Sequence, residues 1–387
     1  MTYQPNYTLP REWVEVISEG GLDALPELIR ILVNTAMEAE REQHIGASRY
    51  ERSSQRRGHA NGFKAKTVKT RLGEISFAIP QVREGDFYPK ALEKGLRSER
   101  ALKATLAEMY VQGVSTRKVA AVVKKLCGAE VSSGLVSQAV GQLDAVLVEW
   151  RQRTLGVCPY LILDARYERV RQAGAVRDAA VLIAIGVGED GKRRILGVSV
   201  SAGEHEVHWR TFLSSLVERG LSGVQFIVSD AHEGLAAARK AVLGGVPWQR
   251  CQFHLQQNAQ AYVPRQELRA AVAADIRAIF NAPNRAEAEA LLAKTVQAHA
   301  KSLPKLAAWL ETNIPQGLTV FSLPTSHQRL LRTTNGLERL NQEIRRRTRV
   351  VGIFPNEAAC LRLASAILME ISDEWEAGRA YLTFGSA

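Results

Sequence analysis

A chain of 387 residues exceeds what one hydrophobic core usually organises, so two or three domains are expected. Lys and Arg number 51 against 40 Asp and Glu, a formal charge of +11 that favours a polyanionic partner, nucleic acid ahead of a membrane surface. The longest apolar run, residues 179–187, is too short to cross a bilayer. Four scattered cysteines (Cys127, Cys158, Cys251, Cys360) argue against a disulfide framework, and the N-terminus lacks the order of a signal peptide. A cytoplasmic protein with no membrane partner is therefore expected, associated with the nucleoid when bound to DNA.

Between 20 and 41, Leu22, Leu25, Leu28, Ile29, Leu32 and Val33 fall mostly three or four apart, which predicts an amphipathic helix that packs or dimerises. Between 49 and 71 eight basic residues (Arg49, Arg52, Arg56, Arg57, Lys64, Lys66, Lys69, Arg71) meet one acid, Glu51. Interleaved Gly58, Asn61, Gly62 and Phe63 suggest a flexible basic arm able to track a phosphate backbone. Residues 67–80 alternate around Gly73 as a small hairpin carrying those charges. From 98 to 150 the pattern turns helical. Leu102, Leu106, Met109 and Tyr110 make one helix; Ser115 caps a second through Val119, Val122, Val123 and Leu126, which Gly128 stops. Ser132 or Ser133 caps a third through Leu135, Val136, Ala139 and Leu143. Three short capped helices fit a helix-turn-helix or a plain bundle; the basic arm beside them favours DNA binding, with Arg117 and Lys118 as contacts.

The run Tyr160-Leu161-Ile162-Leu163-Asp164 is apolar without alternation, the mark of a strand buried on both faces, yet it delivers a carboxylate. An acid in such a place needs a cation. Residues 224–230 repeat the grammar and deliver Asp230. Between them lie strands at 180–187 and 194–200, separated by an Asp190-Gly191 hairpin turn, and a helix at 209–219; after them come a helix at 234–243 and a fifth strand at 248–253. Three antiparallel-type strands, helix, strand, helix, strand is the order of a ribonuclease-H-like core, an α/β fold whose first and fourth strands bring two acids side by side.

From 255 to about 315 only helical stripes occur, with Asn281-Ala282-Pro283-Asn284 as a break, so an all-helical insertion is expected. Trp309 within it reads as a core anchor or as an exposed ring that stacks on a base. At 333–349 Leu337, Leu340 and Ile344 form the buried stripe of a helix, with Glu338 near its start and Arg345, Arg346, Arg347 and Arg349 toward its end. Glu338 follows Asn335 by three, the spacing of a capping box, and it also suits a site that holds metal at one end and phosphates along the rest.

Four stretches, LILDARYERVR, VSDAHEGL, CQFH and TTNGLERLNQEIRRRTRVVGIFP, in this order and spacing, resemble the Mutator-type transposases of bacterial insertion sequences. The resemblance runs from the basic arm almost to the C-terminus; some relatives carry a glycine where Ala231-His232 stands. It implies a ribonuclease-H-like domain interrupted by a helical insertion between the second and third acids. It also implies a DDE trio, Asp164, Asp230 and Glu338, holding Mg²⁺ with Mn²⁺ able to substitute, and cutting and joining double-stranded DNA at the element's terminal inverted repeats and at the target. Holding two ends implies a homodimer or higher assembly. Cys251 and His254 match the family's Cys-x-x-His; zinc at this pair and a packing or site-shaping role both remain open. The expected domains are 1–48 (helical, dimerising), 49–97 (arm and hairpin), 98–150 (helix-turn-helix), 151–254 and 326–387 (core, the latter with C-terminal helices) and 255–325 (insertion). A non-catalytic DNA-binding regulator and a nuclease without joining activity are the competing readings.

Overall fold

The strand that delivers Asp164 lies at the centre of the sheet that organises the second half of the chain. The computed structural model describes residues 10–384 except 49 and 84, with backbone alone at 11, 12 and 335–338. The chain divides into two compact units, Met1–Gln142 and Leu143–Ala387.

In the first unit, α1 (Arg11–Gly20) and α2 (Leu25–Ile45) precede an antiparallel hairpin, β1 (Ala60–Thr70) and β2 (Gly73–Val82). Val68, Ile75, Phe77 and Ile79 pack with Met37 of α2. Because β1 begins at Ala60, the second half of the basic segment is a strand and not the flexible arm its glycines suggested. Lys64 pairs across from Ile79 and Lys66 from Phe77, so the lysine stems lie beside apolar side chains while their ammonium groups stay outside. Three helices follow: α3 (Arg100–Val111), α4 (Thr116–Cys127) and α5 (Ser133–Gly141). Ser115 Oγ accepts the Lys118 N–H at 3.4 Å and Ser132 Oγ accepts the Leu135 N–H at 3.1 Å, while left-handed Gly128 closes α4. The third helix stops at Gly141, short of Leu143.

The second unit opens with α6 (Asp144–Gln152) and a mixed sheet of β3 (Tyr160–Gln172), β4 (Ala175–Val187), β5 (Arg193–Ser201), β6 (Phe226–Ser229) and β7 (Trp248–Arg250), with α7 (Glu206–Glu218) after β5 and α8 (Glu233–Val242) after β6. The order is β5-β4-β3-β6-β7; β3, β4 and β5 are antiparallel neighbours, whereas β3, β6 and β7 run parallel. Period two sends Leu161 and Leu163 into a core with Trp209, Phe212 and Leu213 of α7 and Leu235 and Ala238 of α8. Tyr160, Ile162, Asp164, Arg166 and Glu168 share the opposite face. The fifth strand ends at Arg250, and the stretch expected to continue it to Phe253 instead starts α9 (Gln252–Ala259), because Gln252, Leu255 and Ala259, three and four apart, are the residues buried there.

Four further helices, α10 (Gln266–Phe280), α11 (Arg285–His299), α12 (Pro304–Asn313) and α13 (Thr325–Leu331), come before the chain returns to the sheet as α14 (Asn335–Thr348) and α15 (Glu357–Ala377). Helices α9 to α12 share a core of their own around Leu255, Ile276, Phe280, Leu306 and Leu310. Helix α15 packs on β5, where the Ile195 N–H donates to Ser372 Oγ at 3.1 Å. Among the described residues, no helix is long and apolar enough to cross a membrane. Leu163 is fully buried and precedes Asp164 directly, so Leu163→Ala should lower stability by about 2–5 kcal/mol in urea denaturation, through forfeited transfer energy plus a cavity.

Candidate active site

Strands β3 and β6 are in register at Tyr160 with Phe226, Leu161 with Ile227 and Ile162 with Val228. Continuing that register two residues brings Asp164 level with Asp230, beyond the last residue of β6. Both open onto one cleft of about 130 Å³, which Glu204, His232 and His254 also line. Hydrophobic packing of Leu161, Leu163, Phe226 and Ile227 underneath, all essentially inaccessible, is what holds the two carboxylates at this spacing.

The two acids differ in environment. Asn341 of α14 donates from Nδ2 to Asp164 Oδ2 at 2.7 Å. Burial pushes the Asp164 carboxyl up to about 6, although the Asn341 bond and the charge of His254 pull the other way. Asp230 is more open; its Oδ1 accepts the Ala231 N–H at 2.8 Å and lies 4.0 Å from Arg250 Nε. Arg250 in turn bonds Asn313 of α12 at 2.9 Å and sits 6.0 Å from the Trp309 ring. Trp309 is half-buried, packs against the helical core and lies 5.5 Å from Tyr262.

Cys251 is the cap residue just before α9, and His254 in the first turn of that helix lines this cleft. The buried Cys251 sulfur accepts from the Thr334 N–H at 3.3 Å and from its hydroxyl at 3.4 Å, joining the end of β7 to the start of α14. Hydrogen bonding to Cys251 raises His254 to about 9 against the effect of burial, with Asp230 and Asp164 adding to the shift. Burial alone would raise the Cys251 thiol, but its bonds with His254 and Thr334 outweigh that and the net shift is downward. A cationic imidazole facing two carboxylates is the electrostatic consequence.

Glu338 lies on the opening turns of α14, but its side chain is outside the described residues. The cap position of α14 is Thr334, which makes no side-chain cap bond, and Asn335 is already helical. A capping box would place its acid at the third helical residue, which is Leu337, so Glu338 is one position out of register for that local role. Leu340 and Ile344 bury the expected stripe.

Two residues of the cleft were not singled out from the sequence. Glu204 follows β5, where nothing in the local pattern marks it; it approaches because Gly234 in α8 has no side chain, and any Cβ there would overlap the Glu204 carbonyl. Asn341 lies within the TTNGLERLN motif, three residues past Glu338 on the same helix face, a spacing that was available to find it.

The basic residues fall into three groups. Arg57, Lys64, Arg71, Arg117, Lys118, Arg345, Arg346 and Arg349 are exposed, though Arg71 pairs with Glu99 at 3.3 Å and Arg346 with Glu343 at 2.7 Å. Arg56 caps the Ser48 and Glu51 carbonyls, Lys66 donates to Tyr88 Oη at 2.8 Å, and Lys69 bonds the Glu130 carbonyl, so all three also tie their own unit together. Arg347 departs from expectation: it is 5% exposed and pairs with Glu343 at 2.7 Å and Glu370 at 2.5 Å, which makes it a tie between α14 and α15 and not a phosphate contact. Arg49 lies outside the described residues. In the first unit a concavity of about 660 Å³ is lined by Lys64, Lys66 and Lys69 together with Lys94 and Arg97, which the sequence pattern left out because Glu93 and Glu99 dilute the charge around them.

Raised from 3.8 to about 6, the folded Asp164 carboxyl binds more proton than the unfolded one between those values, so stability falls as pH climbs through that window and then levels. In metal-free protein, melting curves of Asp164→Asn should therefore stay with wild type at about pH 4 and exceed it above about pH 6; parallel curves across the window would contradict the buried acid.

A family model described as "Transposase, Mutator family" matches residues 11–378. The transposase for insertion sequence element IS406 of Burkholderia multivorans is 58% identical over 368 residues, 95% of each chain. That for ISRM5 of Rhizobium meliloti is 44% identical, covering 93% of this chain and 90% of the relative. That for IS256 in transposon Tn4001 of Staphylococcus aureus is 36% identical over 98% of this chain and 99% of the relative. With four separate motifs carried in one order and a match across nearly the whole length, the chain belongs to the Mutator family of transposases.

Proposed function

We propose that this chain is a DNA transposase that cuts at the ends of its insertion sequence and joins them to a target through Asp164, Asp230 and Glu338. The observation that carries this is the convergence of Asp164 and Asp230 on one cleft from adjacent parallel strands, with α14 bonded to Asp164 by the residue three places past Glu338. The strand order β5-β4-β3-β6-β7 supports a ribonuclease-H-like core, and helices α9 to α13 supply an insertion between the second and third acids.

Among the described residues no group of three His, Cys, Asp or Glu side chains stands ready to hold a metal, the third acid of the trio lying outside them. The donors that are described fit a hard divalent cation: two carboxylates on one cleft, the more buried one raised above the ordinary carboxylate range by burial, a cost that a bound cation would offset. Asp164, Asp230 and Glu338 would hold Mg²⁺ or Mn²⁺. When bound, the ion supplies Lewis-acid activation of a phosphodiester and charge stabilisation at its leaving oxygen. Water then displaces one ester oxygen at phosphorus and frees a 3′-hydroxyl; that hydroxyl attacks a target phosphodiester, one P–O bond forming as another breaks. Arg345 and Arg349, exposed two and three turns beyond Glu338, lie where the rest of a backbone would run.

End recognition we assign to the first unit, reading α3 to α5 as a helix-turn-helix with Arg117 and Lys118 at the head of α4. We further propose assembly as a homodimer or larger on DNA; Leu22 and Leu32 are 82% and 44% exposed before the hairpin, apolar surface that a second copy can cover.

Asp164→Asn, Asp230→Asn and Glu338→Gln should each abolish metal-dependent nicking and strand transfer on element-end DNA while leaving DNA binding intact. A Glu338→Gln protein that still cuts removes that residue from the site, and wild type that cuts but cannot join supplied 3′-hydroxyl ends reduces the protein to a nuclease. Replacing Lys64, Lys94 and Arg97 together by alanine should weaken binding equally on end and random duplex and flatten the slope of log affinity against log salt by about three, one for each phosphate no longer neutralised; an unchanged slope would remove the concavity from the DNA path.

A further inference from the structure

We propose that Asn341 is a positioning residue of the acidic site: it aims Asp164 into the cleft and sets α14 at the height where Glu338 can join it. The proposal rests on the acidic trio described above and adds a fourth position to it.

Asp164, Arg166 and Glu168 are alternate residues of β3 and so share one face, and α14 presents Asn341 and Thr348, two turns apart, to that face. Asn341 binds Asp164 through its side chain, Arg166 donates to the Asn341 carbonyl, and Thr348 Oγ1 donates to Glu168 Oε1 at 3.0 Å. Arg166 and Glu168 are themselves paired at 2.6 Å. These bonds fix both the rotation and the height of α14 along β3. A helix rises about 1.5 Å per residue, so the backbone of residue 338 is held roughly 4.5 Å along the axis from Asn341, next to the one carboxylate that Asn341 grips.

A carboxylate only accepts hydrogen bonds, so the Asn341 NH₂ must face Asp164. Its Oδ1 then turns away and is buried without a partner among the described residues. An unpaired buried acceptor is a cost that a leucine of similar size would avoid, so packing does not explain an amide here. Service to Asp164 does. With Oδ2 held by Nδ2, the Asp164 carboxylate is fixed in direction at the cleft it lines, the arrangement by which partners of a liganding group orient it.

The test uses the full chain without DNA and reads Mn²⁺ affinity by electron paramagnetic resonance of the free ion, beside thermal melting and duplex binding. Asn341→Leu keeps the volume and removes the donor; Asn341→Ala keeps the helix if leucine does not fit. Either folded variant should bind Mn²⁺ about 10–100-fold more weakly than wild type, the range seen when partners of a metal ligand are removed. Thr348→Val, which cuts the far tie of the same face and leaves the bonds at Asn341 in place, should lower Mn²⁺ affinity less than either Asn341 variant, and Asn341→Gln should recover part of the loss. Wild-type Mn²⁺ affinity in a folded Asn341→Ala or Asn341→Leu protein, alongside a loss in Asp164→Asn, overturns the role of Asn341 alone. Unchanged affinity in Asp164→Asn overturns the acidic trio and this proposal with it.

Discussion

The structure depends on one constraint: a carboxylate stands at the end of a fully apolar stretch in the central strand of a sheet. Leu161 and Leu163 are buried against α7 and α8, and Val181 and Ile183 across the β4 register are equally inaccessible, so Asp164 cannot turn away from the interior without pulling β3 out of its core. The groups around it answer that charge only in part, and some oppose it. Asn341 donates to it, His254 opposes it with positive charge, and Asp230 and Glu204 add negative charge at the same cleft. Proton binding with an upward shift is how the acid resolves the conflict alone. In the site proposed above, a divalent cation shared with Asp230 would resolve it without neutralising the oxygen ligands.

That requirement accounts for the investment in α14. The helix is very polar and few of its described residues are apolar and buried, so packing alone would hold it weakly; Leu340 and Ile344 supply the anchor and charged ties supply the rest. Arg347 pairs with Glu343 on its own helix and with Glu370 on α15, and hydrogen bonds from Arg346 and Arg347 together hold Glu343 down at about 2. Helix α15 is in turn seated on β5 and on α6, where Arg362 pairs with Asp144 at 2.6 Å. Cys251 closes the other end of α14 through Thr334. A chain segment that returns to the sheet after five intervening helices is thus located at its start, middle and end, and a helix held at three points has little freedom to slide past the strand it serves.

Much of this was legible in the chain itself. Unbroken apolar runs ending in acid identified β3 and β6, the Asp190-Gly191 turn identified the hairpin between β4 and β5, and Ser115, Gly128 and Ser132 marked helix ends that the structure keeps. These are local effects, set by side-chain period, backbone freedom and the nearest unsatisfied N–H, so a window of a few residues contains the cause. What the sequence could not decide by itself was which polar groups meet. Arg347 reads like its neighbours until Glu370, twenty-three residues on, neutralises it in the interior; Lys94 and Arg97 join the lysines of β1 only because the chain after β2 folds back beside the hairpin. The segment from Ala60 looked free because glycine and lysine are poor strand formers, yet pairing with Ile75, Phe77 and Ile79 across the ladder overrides that preference. Asn341 and Glu204 approach Asp164 from positions 177 residues after it and 40 after it; the spacing of Asn341 from Glu338 marks its helix face, but its meeting with Asp164, like that of Glu204, is fixed by the packing of β3 against elements remote in the chain.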